Sequence, residues 1–463
     1  MPFEDKEAKY NIINSDPDGT IMKETDHISG SVVSGEDTKT VSMFGKLVTL
    51  SIQLNENAFK HPIMQEYLKN PGTKFDIVIV QPVFASEAGY YLGYKFKAPI
   101  ATYLTAQSHI PQISHSVGQP YNPSYMNFPM LPAIGEMTFF ERVMNTFASF
   151  VFEHPFRHIY FLSRVNEFLD QQFPGEERPS ILEIEKNVSL VFQFGHPLIL
   201  DGWAPMVPNY IQLGMMNCRL GKPFTPGDVI GDFLNKSKKG VIFISFGSNI
   251  KGSLMTPDKK QIFLNVFKQF SQYDFIWKWD EKLPNLPKNV LVANWLPQQD
   301  ILAHSNLKLF ITHGGQSSFQ ESLCYQKAMV VIPVFGDQPL NAKEVKRLGV
   351  GLYASYIGLK EKELINAIDE VLHDPKYTES AKAMGSAMND QITRPLDRAV
   401  WWIEHVMRHP NMYAGRSPVH KLTWYQYFLL DVIAFFIFVL YVIFKVFKLA
   451  VNICFGKRKV KKE

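Results

Sequence analysis

One stretch of the sequence, residues 295–341, concentrates residue types that can bind a nucleotide diphosphate. A short apolar run at 308–312 is followed by a His-Gly-Gly turn at 313–315 and then by serines that open a helical stretch. A strand, a glycine turn and a helix N-terminus together bind phosphate, because glycines let the backbone approach and the helix N–H groups face the anion. The imidazole of His313 can donate a further hydrogen bond from this turn.

Other side chains in the same stretch suit the remaining parts of a nucleotide sugar. Trp295 offers a flat face to a base, and Glu321 lies on the helix after the glycine turn, where a carboxylate can accept from ribose hydroxyls. Asp337 and Gln338 follow the next apolar run, and a carboxylate beside an amide suits sugar hydroxyls. Each residue alone is a weak signal, since a lone tryptophan is more often part of a core. The ordered set is much more specific.

In this order and spacing, the stretch closely resembles the signature of the UDP-glycosyltransferases, the family that includes animal UDP-glucuronosyltransferases. The resemblance implies that the tryptophan stacks on uracil and that the His-Gly-Gly turn and a following small polar residue hold the diphosphate. It implies that the glutamate takes the ribose, that Asp-Gln takes the sugar, and that a Gly-Ser turn after Val241–Ser245 faces the diphosphate. The implied donor-binding residues are Gly247, Ser248, Trp295, Gln298, His313, Gly314, Gly315, Ser317, Glu321, Asp337 and Gln338.

The elements that must position these residues are apolar strands alternating with helices, which predicts an α/β fold. In the first half, Phe75–Val80 predicts a buried strand, Glu87–Leu92 a helix and Pro99–Tyr103 the next strand. In the second half, Val241–Ser245 is a fully apolar strand and a helix follows from Pro257. The resemblance implies two doubly wound, Rossmann-like domains that face each other across a cleft, the architecture called GT-B.

The domain organisation follows from composition and from the resemblance. Prolines and glycines between 201 and 236 indicate a linker between two halves. The loops at 104–135 suit a small lipophilic acceptor, and the resemblance implies that a last helix at 394–408 crosses back onto the first domain. The predicted parts are an acceptor-binding domain at 1–215, a linker at 216–237, a UDP-sugar-binding domain at 238–410, a membrane anchor at 426–451 and a basic cytosolic tail at 452–463.

The anchor prediction rests on a strongly apolar segment near the carboxyl terminus. Its unbroken part, 432–444, is shorter than the roughly 20 residues that cross a bilayer. Lys445 and Lys448 can extend their amines to the interface while apolar residues continue past them, and aromatic residues at 424–427 suit a membrane interface. Basic residues at 457–462 then predict a cytosolic tail, which resembles a dilysine retrieval signal of the endoplasmic reticulum.

These features predict a single-pass protein of the endoplasmic reticulum membrane with its main body in the lumen. Asn187 and Asn235 each begin a glycosylation sequon, which fits a lumenal face. The formal net charge of the 463 residues is +4, too small to indicate a nucleic-acid partner. The three cysteines form no disulfide framework, and no spacing of cysteine and histidine indicates a metal site. No cofactor is therefore expected besides the UDP-sugar as co-substrate.

Transfer to an acceptor hydroxyl also requires a base. The family uses a histidine near its amino terminus, oriented by an aspartate after a strand. This sequence shows no counterpart of the segment that carries the histidine, and Gln81 stands at the aspartate position. Surface or structural roles are favoured for the histidines of the first half, which are His27, His61, His109 and His115. The catalytic base is therefore unassigned.

The amino terminus is polar and shows no signal peptide. We therefore expect that the family's signal peptide and histidine segment are missing from this chain. Two explanations stay open: an incomplete version of a longer enzyme, or a true short form.

The resulting hypothesis is an inverting transfer of a hexosyl group from UDP-glucuronate or UDP-glucose to a hydroxyl of a small lipophilic acceptor, as in detoxification, with activity weakened by the absence of the catalytic histidine. The alternative is a non-catalytic, UDP-binding membrane partner of full-length family members, and homo- or hetero-oligomers with related transferases fit either hypothesis. A dinucleotide oxidoreductase is disfavoured, because no G-x-G-x-x-G follows Val241–Ser245.

Overall fold

The computed structural model describes residues 40–82, 86–105, 116–128, 131, 136–199, 204–248, 250–281, 283, 286–415 and 417–455. The chain divides into two compact units, 1–414 and 415–463. The polar lead-in at 1–39, His27, His109, His115 and the basic residues at 456–463 lie outside the described residues, so what the sequence predicts for them stays a prediction.

The first unit alternates strands and helices through most of its length. Its strands are β1 Val78–Val80, β2 Ile100–Leu104, β3 Val188–Gln193, β4 Tyr210–Gln212, β5 Val241–Ser245, β6 Asp274–Lys278, β7 Val290–Ala293, β8 Leu307–Thr312, β9 Met329–Val331 and β10 Gly351–Tyr353. Its helices are α1 Thr40–Lys60, α2 Pro62–Lys69, α3 Tyr90–Phe96, α4 Phe139–Val151, α5 Leu162–Gln172, α6 Ile181–Glu185, α7 Val229–Lys236, α8 Pro257–Gln269, α9 Gln298–Ala303, α10 Gln316–Cys324, α11 Gln338–Arg347, α12 Glu361–His373, α13 Pro375–Asn389 and α14 Pro395–Arg408. A π-helical segment, Phe152–Phe161, joins α4 to α5.

The first four strands form one parallel sheet in the order β1-β2-β3-β4. All six residues of β3 are buried, as expected for an inner strand covered on both faces. One face packs on α3, α5 and α6, where Val191 meets Tyr91 and Leu169 in a common core. The other face packs on α14, whose Ala399 and Val406 cluster with residues of β2 and β3. The expected return of the last helix to the first sheet is therefore confirmed.

The other six strands form a second parallel sheet in the order β10-β9-β8-β5-β6-β7. The apolar run predicted at Val241–Ser245 is its central strand β5, and every residue of it is buried. Strands β6 and β7 lie on one side of β5, and strands β8, β9 and β10 lie on its other side. The crevice between the carboxyl ends of β5 and β8 is therefore a topological switch point, where α/β sheets bind ligands. The two sheets confirm the predicted fold class.

One strand prediction is wrong in its extent and its burial. The buried strand predicted over Phe75–Val80 is only Val78–Val80, and the side chain of Ile79 is 53% exposed. The run is apolar enough for an inner strand, but among the described strands β1 pairs with β2 alone. An edge position leaves one side of a strand in contact with water, which sequence periodicity cannot reveal.

The connection between the sheets is tied to helix α10 of the second sheet. The Phe194 carbonyl, just after β3, accepts from Gln320 Nε2 at 2.9 Å, and Gln320 Oε1 accepts from the Met215 backbone N–H at 2.9 Å. The predicted linker at 216–237 contains α7, whose Leu234 is buried in the second core. The domain boundaries themselves stay a prediction.

The second unit contains α15 Trp424–Tyr427 and α16 Leu430–Phe455. Leu429, between them, has a φ of 56°, so the long helix begins after it rather than at residue 426. The span Leu430–Ile453 contains an 18-residue window with a mean hydropathy of 2.5, and its 24 residues correspond to about 36 Å of helix. This helix is long and apolar enough to cross a membrane.

Candidate functional site

Candidate residues that end or follow five strands of the second sheet lie at one edge of that sheet. Gly247 follows β5, Lys278 ends β6, Trp295 follows β7, His313 follows β8 and Asp337 lies beyond β9. Because the strands are parallel, their carboxyl ends lie at the same edge of the sheet. The structure therefore places these predicted residues around the switch point, together with Lys278, which the prediction omitted.

The imidazole of His313 lies between two glycine turns. A Cβ built on Gly247 would lie 2.8 Å from His313 Cε1, and one built on Gly315 would lie 2.6 Å from His313 Nε2. The ring therefore occupies the space that the Cβ atom of any other residue at position 247 or 315 would need. Gly247 also has a φ of 74°, which favours glycine at this turn.

The protonation of His313 is fixed by its surroundings. Burial, together with the charge of Lys278, lowers the pKa of His313 to about 4, so the ring is neutral at neutral pH. His313 Nδ1 lies 3.3 Å from Thr312 Oγ1. When the hydroxyl donates to Nδ1, the ring carries its proton on Nε2, and that N–H can donate to an anion.

Glu321 lies one turn into α10 and is held by three amide groups. Its Oε1 accepts from Asn217 Nδ2 and Gln299 Nε2, each at 3.0 Å, and its Oε2 accepts from Gln298 Nε2 at 2.7 Å. Gln298 also donates to Ser318 Oγ at 3.2 Å. Burial raises the pKa of Glu321 and these donors lower it, so the carboxylate is oriented by neutral groups. Such a fixed acceptor suits the hydroxyls of a ribose.

The predicted sugar pair, Asp337 and Gln338, begins helix α11. Gln338 Oε1 accepts from the backbone N–H groups of Val334 and Phe335 at 2.8 and 3.1 Å, so this amide holds the loop after β9. Asp337 Oδ2 accepts from Asn341 Nδ2 at 2.9 Å. Burial raises the pKa of Asp337, which its hydrogen bonds to Asn341 and to backbone N–H groups partly offset.

Trp295 is displayed at the surface rather than packed in the core. Its side chain is 70% exposed, although large aromatic residues are usually buried. The Nζ atom of Lys278 lies 5.5 Å from the centre of its ring and donates to the Gly247 carbonyl at 2.6 Å. The lysine thus joins the exposed ring to the turn after β5. An exposed, braced ring can stack on a base.

The remaining predicted donor residues surround the start of α10. Gly314 has a φ of 81°, and a Cβ there would lie 2.4 Å from Val331 Cγ1. Gly315 precedes the first residue of the helix and supplies no side-chain cap, so no side chain at that position competes for the helix N–H groups. Ser317 on α10 and Ser248 after β5 are both exposed.

The residues considered for catalysis lie elsewhere. Gln81 follows β1 of the first sheet, is exposed, and donates from Nε2 to Thr105 Oγ1 at 3.2 Å. His61 caps α2 by accepting from the Ile63 N–H at 3.3 Å, and His304 accepts from the Asn306 N–H at 3.2 Å. Both histidines therefore have structural roles. The catalytic base stays unassigned.

Comparison with known proteins agrees with this geometry. The family described as "UDP-glucoronosyl and UDP-glucosyl transferase" matches residues 15–463. The chain belongs to this UDP-glycosyltransferase family. UDP-glycosyltransferase UGT5 from Dactylopius coccus is 33% identical over 395 residues, which cover 85% of this chain and 73% of that protein.

Two further comparisons concern sequence and fold. UDP-glucuronosyltransferase 2B7 from Homo sapiens is 32% identical to this UDP-glycosyltransferase over 400 residues, with 84% of this chain and 72% of that protein covered. The solved structure of the calicheamicin glycosyltransferase CalG4 has a TM-score of 0.53 and 16% identity, and covers 80% of this chain and 83% of its own. At that identity the likeness concerns the fold, which is the GT-B architecture.

Sequence reasoning missed several residues of the UDP-glycosyltransferase site. Lys278 carried a usable signal, because it is the polar residue that ends an otherwise apolar strand at the edge where ligands bind. Asn217, Gln299 and Asn341 carried none. Asn217 reaches the site from a segment that is distant in the sequence. Gln299 and Asn341 lie within helices, and polar residues at these positions do not disturb the apolar pattern of the helix.

Replacing Lys278 by methionine is expected to weaken UDP binding by about 1 kcal/mol, the upper end for a solvent-screened charge pair. The change removes the cation beside the Gly247 turn and leaves Trp295 unbraced. Lys260 is the matched control, because its Nζ donates to the Ser253 carbonyl at 2.9 Å and lies 5.5 Å from the ring of Trp279. Calorimetry should therefore show unchanged UDP affinity for Lys260→Met. Equal losses of affinity in both variants would contradict a specific role of Lys278 in UDP binding.

Proposed function

We propose that this UDP-glycosyltransferase transfers a hexosyl group from UDP-glucuronate or UDP-glucose to a hydroxyl of a small lipophilic acceptor, with inversion at the sugar carbon. The observation that carries the proposal is the set of groups around the switch point, which are the neutral, glycine-flanked His313, the exposed Trp295 and the amide-held Glu321. This arrangement offers separate positions for the diphosphate, the base and the ribose.

The donor half supplies stabilisation of the leaving group. Negative charge develops on the UDP diphosphate as the bond to the sugar breaks. The N–H of His313, the N-terminal N–H groups of α10 and the ammonium of Lys278 are donors or positive charges at the turns where that charge arises. These groups are fixed before the substrate binds, so little reorganisation is needed during the reaction.

We infer that the diphosphate needs no metal ion in this site. The groups assigned to it are N–H donors and one ammonium rather than oxygen ligands. Among the described residues, no group of three or more histidine, cysteine or acidic side chains is placed to hold a metal. The proposal therefore leaves the UDP-sugar as the co-substrate that occupies the site.

A donor and acceptor panel tests the function. The purified 463-residue chain in detergent is incubated with labelled UDP-glucose or UDP-glucuronate and a panel of phenols, and glycoside formation is followed by chromatography. Transfer from one donor well above the other would define the sugar. If neither sugar is transferred while calorimetry shows UDP binding, the assignment as a hexosyltransferase of phenols is wrong.

We further propose a single-pass topology in the endoplasmic reticulum membrane, with the main body lumenal and the tail cytosolic. Helix α16 supports the span, and the side chains of Asn187 and Asn235 are exposed, as acceptors of glycans must be. Protease added to sealed microsomes should trim only the last few residues of the chain. Digestion of the main body in intact vesicles would contradict this orientation.

Binding of a UDP-sugar is expected to take up protons below neutral pH. In the free protein the pKa of His313 is about 4, and an adjacent diphosphate favours the charged ring and raises this pKa. The complex therefore binds more protons than the free protein, and affinity should rise as the pH falls from about 7 toward about 5. Calorimetry of UDP-glucose binding in buffers with different ionisation enthalpies measures the uptake.

The variant His313→Asn keeps a hydrogen-bond donor but cannot titrate, so it should bind UDP-glucose without proton uptake in this range. Uptake that persists in the variant would assign the proton to another group.

A further inference from the structure

The fold brings two cysteines together beside the carboxylate of Glu321. Cys218 belongs to the segment between β4 and α7, and Cys324 is the last residue of helix α10. Both are free thiols, both are half-buried, and both pack against the core of the second sheet. They are far apart in the sequence, and neither thiol has a role in the proposed transfer.

Hydrogen bonds on both sides of the two cysteines hold their segments together. Asn217, which precedes the first cysteine, donates from Nδ2 to Glu321 Oε1 at 3.0 Å. Arg219, which follows it, accepts at its backbone carbonyl from the Tyr325 hydroxyl at 2.6 Å. On helix α10, Glu321 lies one turn before the second cysteine, and Tyr325 directly follows that cysteine. The two cysteines are therefore neighbours.

The groups around the pair show the same proximity. Gln299 of α9 bridges the two segments, because its Nε2 donates to the Asn217 carbonyl and to Glu321 Oε1, each at 3.0 Å. A hydrogen bond with the Cys324 thiol, together with burial, raises the pKa of the Cys218 thiol well above its usual range. A direct contact between two thiols is the geometry from which a disulfide can form.

We propose that Cys218 and Cys324 form a reversible disulfide that clamps the segment 215–219 to helix α10. The oxidant is a small-molecule disulfide, oxidised glutathione. The thiolate of Cys324 attacks one glutathione sulfur and releases one glutathione thiolate. The thiolate of Cys218 then attacks the Cys324 sulfur of this mixed disulfide and releases the second. The protein loses two protons and two electrons, which convert one glutathione disulfide into two glutathione thiols.

The order of attack follows from the ionisation of the pair. While the Cys324 thiol is its neighbour, Cys218 is hard to ionise, so it is suited to the second step rather than to the first. Once the Cys324 sulfur is bonded to glutathione, it can no longer carry a negative charge beside Cys218. The thiolate of Cys218 then forms more easily and completes the bond.

The disulfide acts on the carboxylate that is proposed to bind the ribose. With both thiols reduced, Asn217 is held against Glu321 by hydrogen bonds alone. The disulfide fixes the residue next to Asn217, so the ribose acceptor is ordered before UDP arrives and less side-chain freedom is lost on binding. This effect rests on the proposed function. Oxidation in cells rests on the proposed lumenal location, since cytosolic thiols are kept reduced.

Peptide mapping of the folded 463-residue chain tests the disulfide directly. The variant Cys454→Ser removes the third cysteine and leaves only the pair. The chain is equilibrated with excess oxidised glutathione, free thiols are alkylated, N-linked glycans are removed, and trypsin is added without reductant. We expect the tryptic peptides 187–219 and 309–327 to be linked. Recovery of both cysteines alkylated, or of each joined to glutathione, would overturn the proposal.

The same mixture in urea supplies the control for the fold. Unfolding separates the two cysteines by a long loop, so the yield of linked peptides should fall about tenfold or more. A yield in urea equal to that of the folded chain would show that the fold does not pair these thiols.

Calorimetry with UDP tests the clamp. The oxidised Cys454→Ser chain should bind UDP about 2- to 10-fold more tightly than its reduced form, as expected when one side chain is ordered in advance. Cys218→Ser or Cys324→Ser, added to that chain, should abolish the difference. Equal affinity of the two forms, with the linked peptides present, would overturn the action on the ribose acceptor. If neither form binds UDP, the proposed function is wrong, and the peptide mapping alone decides the disulfide.

Discussion

Replacing Trp295 by alanine is expected to weaken UDP binding by about 1–3 kcal/mol, the loss found for aromatic–base stacks. The dissociation constant should rise about 5- to 150-fold. The side chain is 70% exposed and braced by Lys278, so its removal leaves no cavity in the core and costs little stability. The measurement is titration calorimetry of the 463-residue chain with UDP.

The matched control for this variant is Trp401, on α14, which is 50% exposed and distant in sequence from the glycine turns. Trp401→Ala should bind UDP as the parent chain does. Unchanged affinity in Trp295→Ala would rule out stacking of the base on this ring.

Replacing His313 by alanine is expected to lower the turnover rate by about 10²–10³-fold, the usual cost of removing one fixed donor from a developing negative charge. The turns at Gly247 and Gly315 both adjoin this ring. The rate constant for transfer from the donor that the panel identifies is the quantity to compare. Affinity for the intact UDP-sugar should fall much less, because its glycosidic oxygen carries no charge until the bond to the sugar breaks.

His304 provides a control of the same residue type in the same domain. It is half-buried and bonded to the Asn306 backbone, so His304→Ala should leave the turnover rate close to that of the parent. Equal losses of rate and of affinity in His313→Ala would instead show that the histidine binds the substrate and the transition state alike.

The second half of the fold is predictable from sequence because its apolar runs are buried inner strands. Val241–Ser245 and the apolar run predicted at 308–312 occur as the inner strands β5 and β8, and a glycine turn follows each of them. The first half is less predictable. Phe75–Val80 has the composition of an inner strand but forms a short edge strand, and composition does not encode which neighbours a strand has.

The candidate site shows the same division. His313 and Glu321 can be found from sequence because local turn and helix chemistry places them. The amides that orient Glu321 cannot, since Asn217 is 104 positions away from it in the chain. The burial of Asn145 on α4 likewise cannot be predicted from the sequence, because a hydrophobic pattern gives the period of a helix but not which side of the helix packs on the core.

The contacts of α10 define where movement between the two sheets must be centred. Gln320 is fully buried and binds the Phe194 carbonyl and the Met215 N–H, while Glu321, the next residue, binds Asn217. Breaking buried hydrogen bonds costs about 1–3 kcal/mol for each unsatisfied group. The first sheet therefore swings more easily about this joint than away from it. If Glu321 binds the ribose as proposed, a pivot beside its carboxylate would keep the nucleoside end of the donor nearly still. Displacement grows with distance from a pivot, so any opening of the two sheets is expected to be largest far from α10.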